Sequence, residues 1–134
     1  MEAPADLRYS SEHEWVRVEE DTGVIGITDY AQDQLGDIVY LDLPAVGASV
    51  AQFEKLGEIE SVKAVSDLFS PVAGEVVEVN QEAVDTPELV NSEPYGRGWL
   101  IKVRLSDAGG LDDLLSADAY HDHVAGLEAE QESA

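Results

Sequence analysis

Between Glu14 and Leu105 the apolar residues come in short runs, broken every few positions by Gly, Pro, Asn or Asp. Runs of this length suit a small barrel or sandwich, in which each strand buries alternate residues and each turn needs a tolerant backbone. The pattern predicts strands over Glu14–Val18, Val24–Thr28, Ile38–Leu43, Gly57–Val62, Ala64–Phe69, Glu75–Val79 and Trp99–Leu105. In the last of these, Trp99, Ile101, Val103 and Leu105 alternate with Leu100, Lys102 and Arg104, as a half-buried strand requires. The run Asp29–Leu35 interrupts the strands as a short helix, with Thr28 or Asp29 as cap and Gly36 as stop. After Gly109-Gly110 the period changes. Leu111, Leu114 and Leu115 group together, Tyr120, Val124 and Leu127 recur at helical spacing, and Ser116 suits a second cap. One domain over residues 1–127 is expected, followed by a polar, disordered tail from 128 to 134.

An internal echo bears on the architecture. Gly36-Asp37-Ile38-Val39-Tyr40-Leu41 and Gly74-Glu75-Val76-Val77-Glu78-Val79 share the order Gly, acid, apolar, apolar, any, apolar. A duplicated unit of this kind closes into a flattened barrel with approximate two-fold symmetry, each half covering the other's apolar face. Chance similarity between two short strands is the alternative.

Charge narrows the partners. The 134 residues carry 29 acids against 7 Lys plus Arg, a formal net charge of -22, which repels nucleic-acid phosphates and anionic membranes. A solvated acidic shell that keeps a monomer soluble accounts for this, and steering towards basic partners is the sharper alternative. Adaptation to a salty cytoplasm is a third, motivated by an acid excess with only three lysines, Lys55, Lys63 and Lys102. There is no cysteine, so disulfides, thiolate nucleophiles and Cys metal sites are excluded and any sulfur chemistry arrives on a cofactor. The first residues offer neither a basic leader nor an apolar run, and a cytoplasmic protein is expected.

The segment from Gly57 to Pro71 reads as strand, tight turn, strand, with Lys63 near the tip. A lysine there stands in solvent, and a group attached to it sweeps a large volume while the fold stays fixed. Glu58, Glu60 and Asp67 nearby offer a cationic modifying enzyme a charged landmark. Taken alone, a turn lysine beside acids is an ordinary surface feature.

The surrounding chain changes that judgement. His13-Glu14-Trp15, Gly26-Ile27-Thr28-Asp29-Tyr30-Ala31-Gln32, Leu35-Gly36-Asp37, Glu60-Ser61-Val62-Lys63, Ser66-Asp67, Pro87-Glu88-Leu89-Val90-Asn91, Pro94-Tyr95-Gly96 and Gly98-Trp99 occur in order and at matching spacing. From about Leu7 to Val124 the sequence resembles the glycine cleavage system H protein family. The resemblance implies a mainly β fold, a hammerhead-like β-sandwich of the lipoyl/biotinyl-carrier kind flanked by small helices. It implies a non-catalytic carrier with lipoate in amide linkage on Lys63.

On the same resemblance the arm on Lys63 accepts the aminomethyl group of glycine from a pyridoxal-phosphate-dependent glycine decarboxylase. A tetrahydrofolate-dependent aminomethyltransferase takes over the one-carbon unit, and an FAD-containing dihydrolipoamide dehydrogenase reoxidises the dithiol. A lipoate ligase or lipoyl transferase attaches the arm, with Glu60 in its recognition. Glu14 and Asp67 match positions that shelter the cationic end of the arm in a surface cleft. Glu12 departs from the small polar residue usual in the family just before His-Glu-Trp.

Other readings compete. A lipoyl or biotinyl domain of a larger complex is usually joined by a flexible linker, and biotinyl lysines are usually flanked by Met, where Val62 and Ala64 stand here. A relay that passes lipoate to other complexes also fits. A small acid–base enzyme using His13 with Glu12 or Glu14 lacks an evident nucleophile, metal set or phosphate loop. His121-Asp122-His123 resembles a metal pair, but i, i+2 neighbours on a helix point apart, so solvation and no metal are expected. Trp15, Trp99 and Tyr95 are expected to pack, and Asn80 and Asn91 to serve backbone geometry.

Overall fold

Apolar residues at alternate positions are buried together only if the chain extends, and most of the segment between Arg8 and Leu105 does so. The structure, a computed structural model, describes residues 3–106 and 111–133, with side chains to residue 129; the Gly109-Gly110 break lies outside the described residues. The strands are β1 (Arg8–Tyr9), β2 (Glu14–Glu19), β3 (Thr22–Ile27), β4 (Ile38–Asp42), β5 (Ser49–Val50), β6 (Lys55–Ser61), β7 (Val65–Phe69), β8 (Gly74–Val79) and β9 (Ile101–Leu105). They form a six-stranded antiparallel sheet in the order β1-β2-β3-β9-β8-β5 and a three-stranded one in the order β4-β6-β7. The result is a mainly β sandwich. The sheets do not join into a closed barrel, but the two echo strands, β4 and β8, lie in different sheets, as two half-sheets covering each other require.

Between the sheets lies an apolar layer that includes Ile27, Ile38, Leu41, Ile59, Leu68 and Leu100. Val16, Ile25, Val76, Ile101 and Val103 extend the core along the larger sheet. Both faces of β2 are buried over Glu14–Val16, because Trp15 turns to the other side and meets Tyr9, Val24, Tyr120 and Val124. The last two belong to α4 (Ala117–Ser133), which thereby covers the outer face of the sheet. Trp15 has no room to spare: it pairs with Gly26, where an added Cβ would stand 2.6 Å from its ring.

Helix α1 (Asp29–Leu35) forms as the cap chemistry predicts. The Thr28 hydroxyl accepts from the Ala31 N–H at 3.2 Å, and Gly36 ends the helix with φ +81°. Ser116 caps α4, accepting from the Ala119 N–H at 3.2 Å. Helix α4 continues through the polar segment to Ser133, with Ala134 outside the described residues.

The strand predicted from Trp99 starts only at Ile101. Leu100 turns into the inter-sheet core, and Trp99 packs with the cluster under α4. Two five-residue helices, α2 (Gln81–Asp85) and α3 (Glu88–Ser92), connect β8 to β9. Asn80 and Asn91 hold this connection. The Asn80 amide donates to the carbonyls of Arg97 and Trp99 at 2.8 and 2.6 Å, and Asn91 reaches across to α1 and β4.

Candidate functional site

The β6–β7 hairpin turns through Ser61-Val62-Lys63-Ala64, and Ser61 shapes the turn. Its N–H donates to the Ala64 carbonyl at 2.8 Å, while its hydroxyl accepts from the N–H groups of Lys63 and Ala64 at 3.3 and 3.1 Å. The Val62 N–H donates to the Asp37 carbonyl at 3.0 Å, tying the tip to the chain entering β4. Further down, Gly57 lets β6 approach β4 so closely that a Cβ would overlap the Asp42 carbonyl oxygen.

Lys63 is exposed at this fixed tip, beside Val62 and Val65, whose side chains are 68% and 60% exposed. Its aliphatic stem lies over Gly36, where Cε would be 3.4 Å from an added Cβ. Gly36 is in turn clamped: the Asn91 amide donates to its carbonyl at 2.9 Å and to Gln32 Oε1 at 3.0 Å, and Asn91 Oδ1 accepts from the Ile38 N–H at 2.9 Å. Among the described residues no carboxylate lies within ion-pairing distance of Lys63 Nζ. By contrast, Lys55 pairs with Asp67 at 3.2 Å and Glu58 at 3.5 Å, and Lys102 pairs with Glu78 at 3.6 Å. Acylating Lys63 therefore breaks no ion pair seen here, so its surroundings suit a group held in amide linkage.

Two cavities lie near the hairpin, each of about 260 Å³. The first is walled by Glu12, His13, Tyr30, Ala31, Gln34, Leu35 and Ser66, between α1 and β7. The second is walled by Ser11, Glu12, Phe53 and Phe69. Glu12 belongs to both.

Glu14 is 2% exposed and one hydrogen bond from the second cavity's wall: Oε2 accepts from the Phe69 N–H at 3.3 Å and Oε1 from the Ser10 hydroxyl at 2.6 Å. Burial pushes its carboxyl up to about 8, with a small further push from Glu12, against the opposing pull of those hydrogen bonds. Glu14 is thus mostly neutral at pH 7. His13 is pushed down to about 4, first by burial and then by His123. Its ring stands 4.8 Å from that of Tyr30, and Nδ1 is 2.8 Å from the Tyr120 hydroxyl, which is itself 2.7 Å from Thr28 Oγ1. His13 is thereby tied into packing between α1 and α4.

The chain matches the glycine cleavage H-protein family over residues 7–126. The chain belongs to that family. It is 59% identical to the glycine cleavage system H protein of Brevibacillus brevis over 120 residues, 90% of this chain and 95% of that one. It is 55% identical to the H protein of Carboxydothermus hydrogenoformans over 117 residues, 87% and 90% of the two chains. The crystal structure of the H protein from Mycobacterium marinum superposes with a TM-score of 0.86 at 39% identity, covering 92% of this chain and 99% of that one. As a family member the protein is a lipoyl-carrier component of the glycine cleavage system and not a catalyst.

Within that family frame the structure puts the expected site residues in different surroundings. Lys63 and Glu60 lie at the hairpin end, with Glu60 exposed between its cross-strand partners Tyr40 and Val65. Asp67 is cross-strand from Glu58 and shares a strand face with Phe69, but its carboxylate engages Lys55. Glu14 and Asp67 thus differ in setting: Glu14 is buried and bonded to the Phe69 backbone, whereas Asp67 is exposed two residues before Phe69 on β7. The His121-Asp122-His123 run divides: His121 and Asp122 are exposed, whereas His123 Nε2 lies 3.2 Å from the Ser11 carbonyl. Among the described residues no three potential metal ligands come together, and no helix is long and apolar enough to cross a membrane. Sequence reasoning passed over Phe53, Phe69 and Ser10, which no local pattern marks.

Proposed function

We propose that Lys63 carries lipoate in amide linkage and that the protein carries the aminomethyl unit of glycine between the enzymes of the glycine cleavage system. The observation that supports this most is an exposed amine with no ion pair to lose among the described residues, on a turn held by Ser61 and Asp37. Lipoate, once attached, supplies a disulfide that opens to take up the one-carbon amine and a dithiol that is later reoxidised. The protein's own part is to display, dock and shelter.

Display follows from the rigid tip. Docking by glycine decarboxylase, the aminomethyltransferase and dihydrolipoamide dehydrogenase needs only small, short-lived interfaces, since a docked arm is present at roughly millimolar effective concentration or above. The exposed row Tyr40–Glu60–Val65 gives the lipoate-attaching enzyme a carboxylate between two apolar side chains close to Lys63. Shelter falls to Glu14 and Asp67. A cation arriving at the Phe69 wall favours the charged form of Glu14, whose proton passes to solvent, and competes with Lys55 for Asp67, so both carboxylates are charged when needed and otherwise neutralised.

Intact mass of protein purified from its native host, compared with Lys63→Arg from the same host, tests the attachment. The expected result is one lipoyl group on the wild type and none on the variant, with equal melting temperatures because the side chain is exposed. Bare wild-type protein, or a lipoyl group that survives in Lys63→Arg, refutes the assignment.

A further inference from the structure

Gly36 ends α1, yet its backbone is not that of an ordinary left-handed cap: φ +81° with ψ −157° lies in a region that is essentially glycine's alone. The Lys63 stem lies against its bare Cα, with Cδ, Cε and Nζ 3.9, 3.4 and 3.8 Å from where a Cβ would stand. Next in the chain, the Asp37 carbonyl accepts from the N–H of Val62, the residue before Lys63, at 3.0 Å. Ile38 is then the cross-strand partner of Ser61, on the near side of the turn. Three successive residues thus meet the stem, the turn and the strand end of one hairpin tip.

A side chain from far along the chain holds these three residues. Asn91, on α3, donates to the Gly36 carbonyl at 2.9 Å and accepts from the Ile38 N–H at 2.9 Å, so it bridges the two neighbours of Asp37. The same amide nitrogen donates to Gln32 Oε1 at 3.0 Å, and Gln32 is fixed in turn by donating to Asp29 Oδ1 at 2.8 Å. Helix α3 has little freedom to retreat, because Gly98 packs so closely under it that a Cβ would stand 2.6 Å from the Leu89 carbonyl oxygen. Lys55 and Lys102 are oriented by carboxylates. Lys63 has no ion pair among the described residues, so the seat on Gly36 and the tether to Asp37 are what orient it.

We propose that Asn91 is a positioning residue for the acylation of Lys63: by bridging Gly36 and Ile38 it fixes both the seat of the stem and the acceptor that holds the turn, and so presents the amine to the attaching enzyme in one direction. The inference rests on lipoate being attached at Lys63. In that reaction the deprotonated amine attacks the carbonyl carbon of an activated lipoyl donor. An amide C–N bond forms, the bond from that carbon to the leaving group breaks, and two protons in all pass from the original ammonium to water. An enzyme-bound donor is attacked productively from a narrow range of directions. A tip that is correctly arranged for only part of the time binds such an enzyme more weakly by that fraction. Loosening worth one ordinary hydrogen bond lowers the fraction roughly three- to tenfold.

The test compares unmodified wild type, Asn91→Ala and Asn91→Asp as substrates of a lipoate ligase supplied with lipoate and ATP. Asn91→Asp keeps an acceptor for the Ile38 N–H and loses the donors to Gly36 and Gln32, so it separates the seat of the stem from the support of β4. In both variants the KM for the chain is expected to rise roughly three- to tenfold with kcat unchanged, while hydrogen exchange at Ile38 speeds up in Asn91→Ala alone. Acetylation of Lys63 by an N-hydroxysuccinimide ester, a small reagent that approaches from any side, is expected to run at the wild-type rate in both. A wild-type KM in Asn91→Asp overturns the proposal. So does an ester rate that changes as much as kcat/KM, since the reactivity of the amine and not its presentation would then have been altered. Should neither variant fold, the unmodified wild type decides: a nuclear Overhauser contact between the Lys63 Hε and Gly36 Hα protons is expected, and its absence overturns the proposal. A wild-type chain that the ligase leaves bare at Lys63 instead refutes the carrier assignment, so intact mass tells the two failures apart.

Discussion

The buried carboxyl of Glu14 makes a stability prediction whose sign is unusual for an acid. Its folded value is pushed from 4.5 up to about 8 by burial, so from about pH 4.5 to about pH 8 the folded chain keeps a proton that the unfolded chain has released. Its contribution to stability is therefore complete below the unfolded value and is lost as pH rises through the folded one. Integrated from about pH 5 to about pH 7, this linkage weakens the fold by about 2–3 kcal/mol. Glu14→Gln removes the titration while keeping shape and neutrality. His13 works in the opposite direction: its value is lowered from 6.5 to about 4, so its contribution is present above 6.5 and is lost as pH falls towards 4. That effect is common to wild type and variant, as is the repulsion among the acids other than Glu14, and both drop out of the difference.

Urea unfolding followed by tryptophan fluorescence suits the measurement, because Trp15 is fully buried. The stability of wild type minus that of Glu14→Gln is expected to fall by about 2–3 kcal/mol from about pH 5 to about pH 7. A difference that stays constant to within about 0.5 kcal/mol refutes the reasoning. Glu14 would then titrate as an ordinary surface carboxylate and hold no proton to release when a cation arrives.

Two further substitutions probe the frame around the site. Gly26→Ala drives a methyl to 2.6 Å from a Trp15 ring that cannot retreat, since Nε1 donates to the carbonyls of Ile27 and Pro94 at 2.9 and 3.0 Å. A loss of about 1–3 kcal/mol is expected from the urea midpoint. Asn91→Ala unclamps Gly36 and leaves the Ile38 N–H without its side-chain acceptor. That change is expected to cost about 1–3 kcal/mol and to speed hydrogen exchange first at Ile38.

Most of the strands were legible because period-2 burial is local. Glu14–Val18, Ile38–Leu43 and Glu75–Val79 each differ from the observed strands by only a residue or so at either end. Helix α1 was legible for the same reason, since Thr28 and Gly36 carry its limits in their own chemistry. Elements too short to show a pattern twice, β1 and β5 at two residues and α2 and α3 at five, left no periodic signal. Leu100 was misread because its alternation with Ile101 looked continuous, while the strand begins one residue later. The site divides along the same line. Lys63 was placed on a turn by local pattern and given meaning only by its motif. The Glu14 carboxyl is bonded to the backbone of Phe69, far along the chain, and the Lys63 stem is seated on Gly36, which the sequence marked as a helix stop and a motif position but not as a seat.

Charge bears on how such a carrier is recognised. Five cationic side chains, Arg17, Lys55, Arg97, Lys102 and Arg104, each face a carboxylate. Lys63 faces none among the described residues. Acylating it deepens a net charge of -22 by a single unit and rearranges no ion pair seen here. The long-range field that brings a basic partner to the protein is therefore nearly the same with a bare, a loaded or a spent arm. Partners that arrive by that field have to discriminate at short range, by what the arm presents to their own active sites, since the body announces almost nothing about its cargo. A fixed hairpin and a lysine free of ion pairs among the described residues suit this division of labour: encounter belongs to the acidic body, and specificity to the chemistry at the end of the arm.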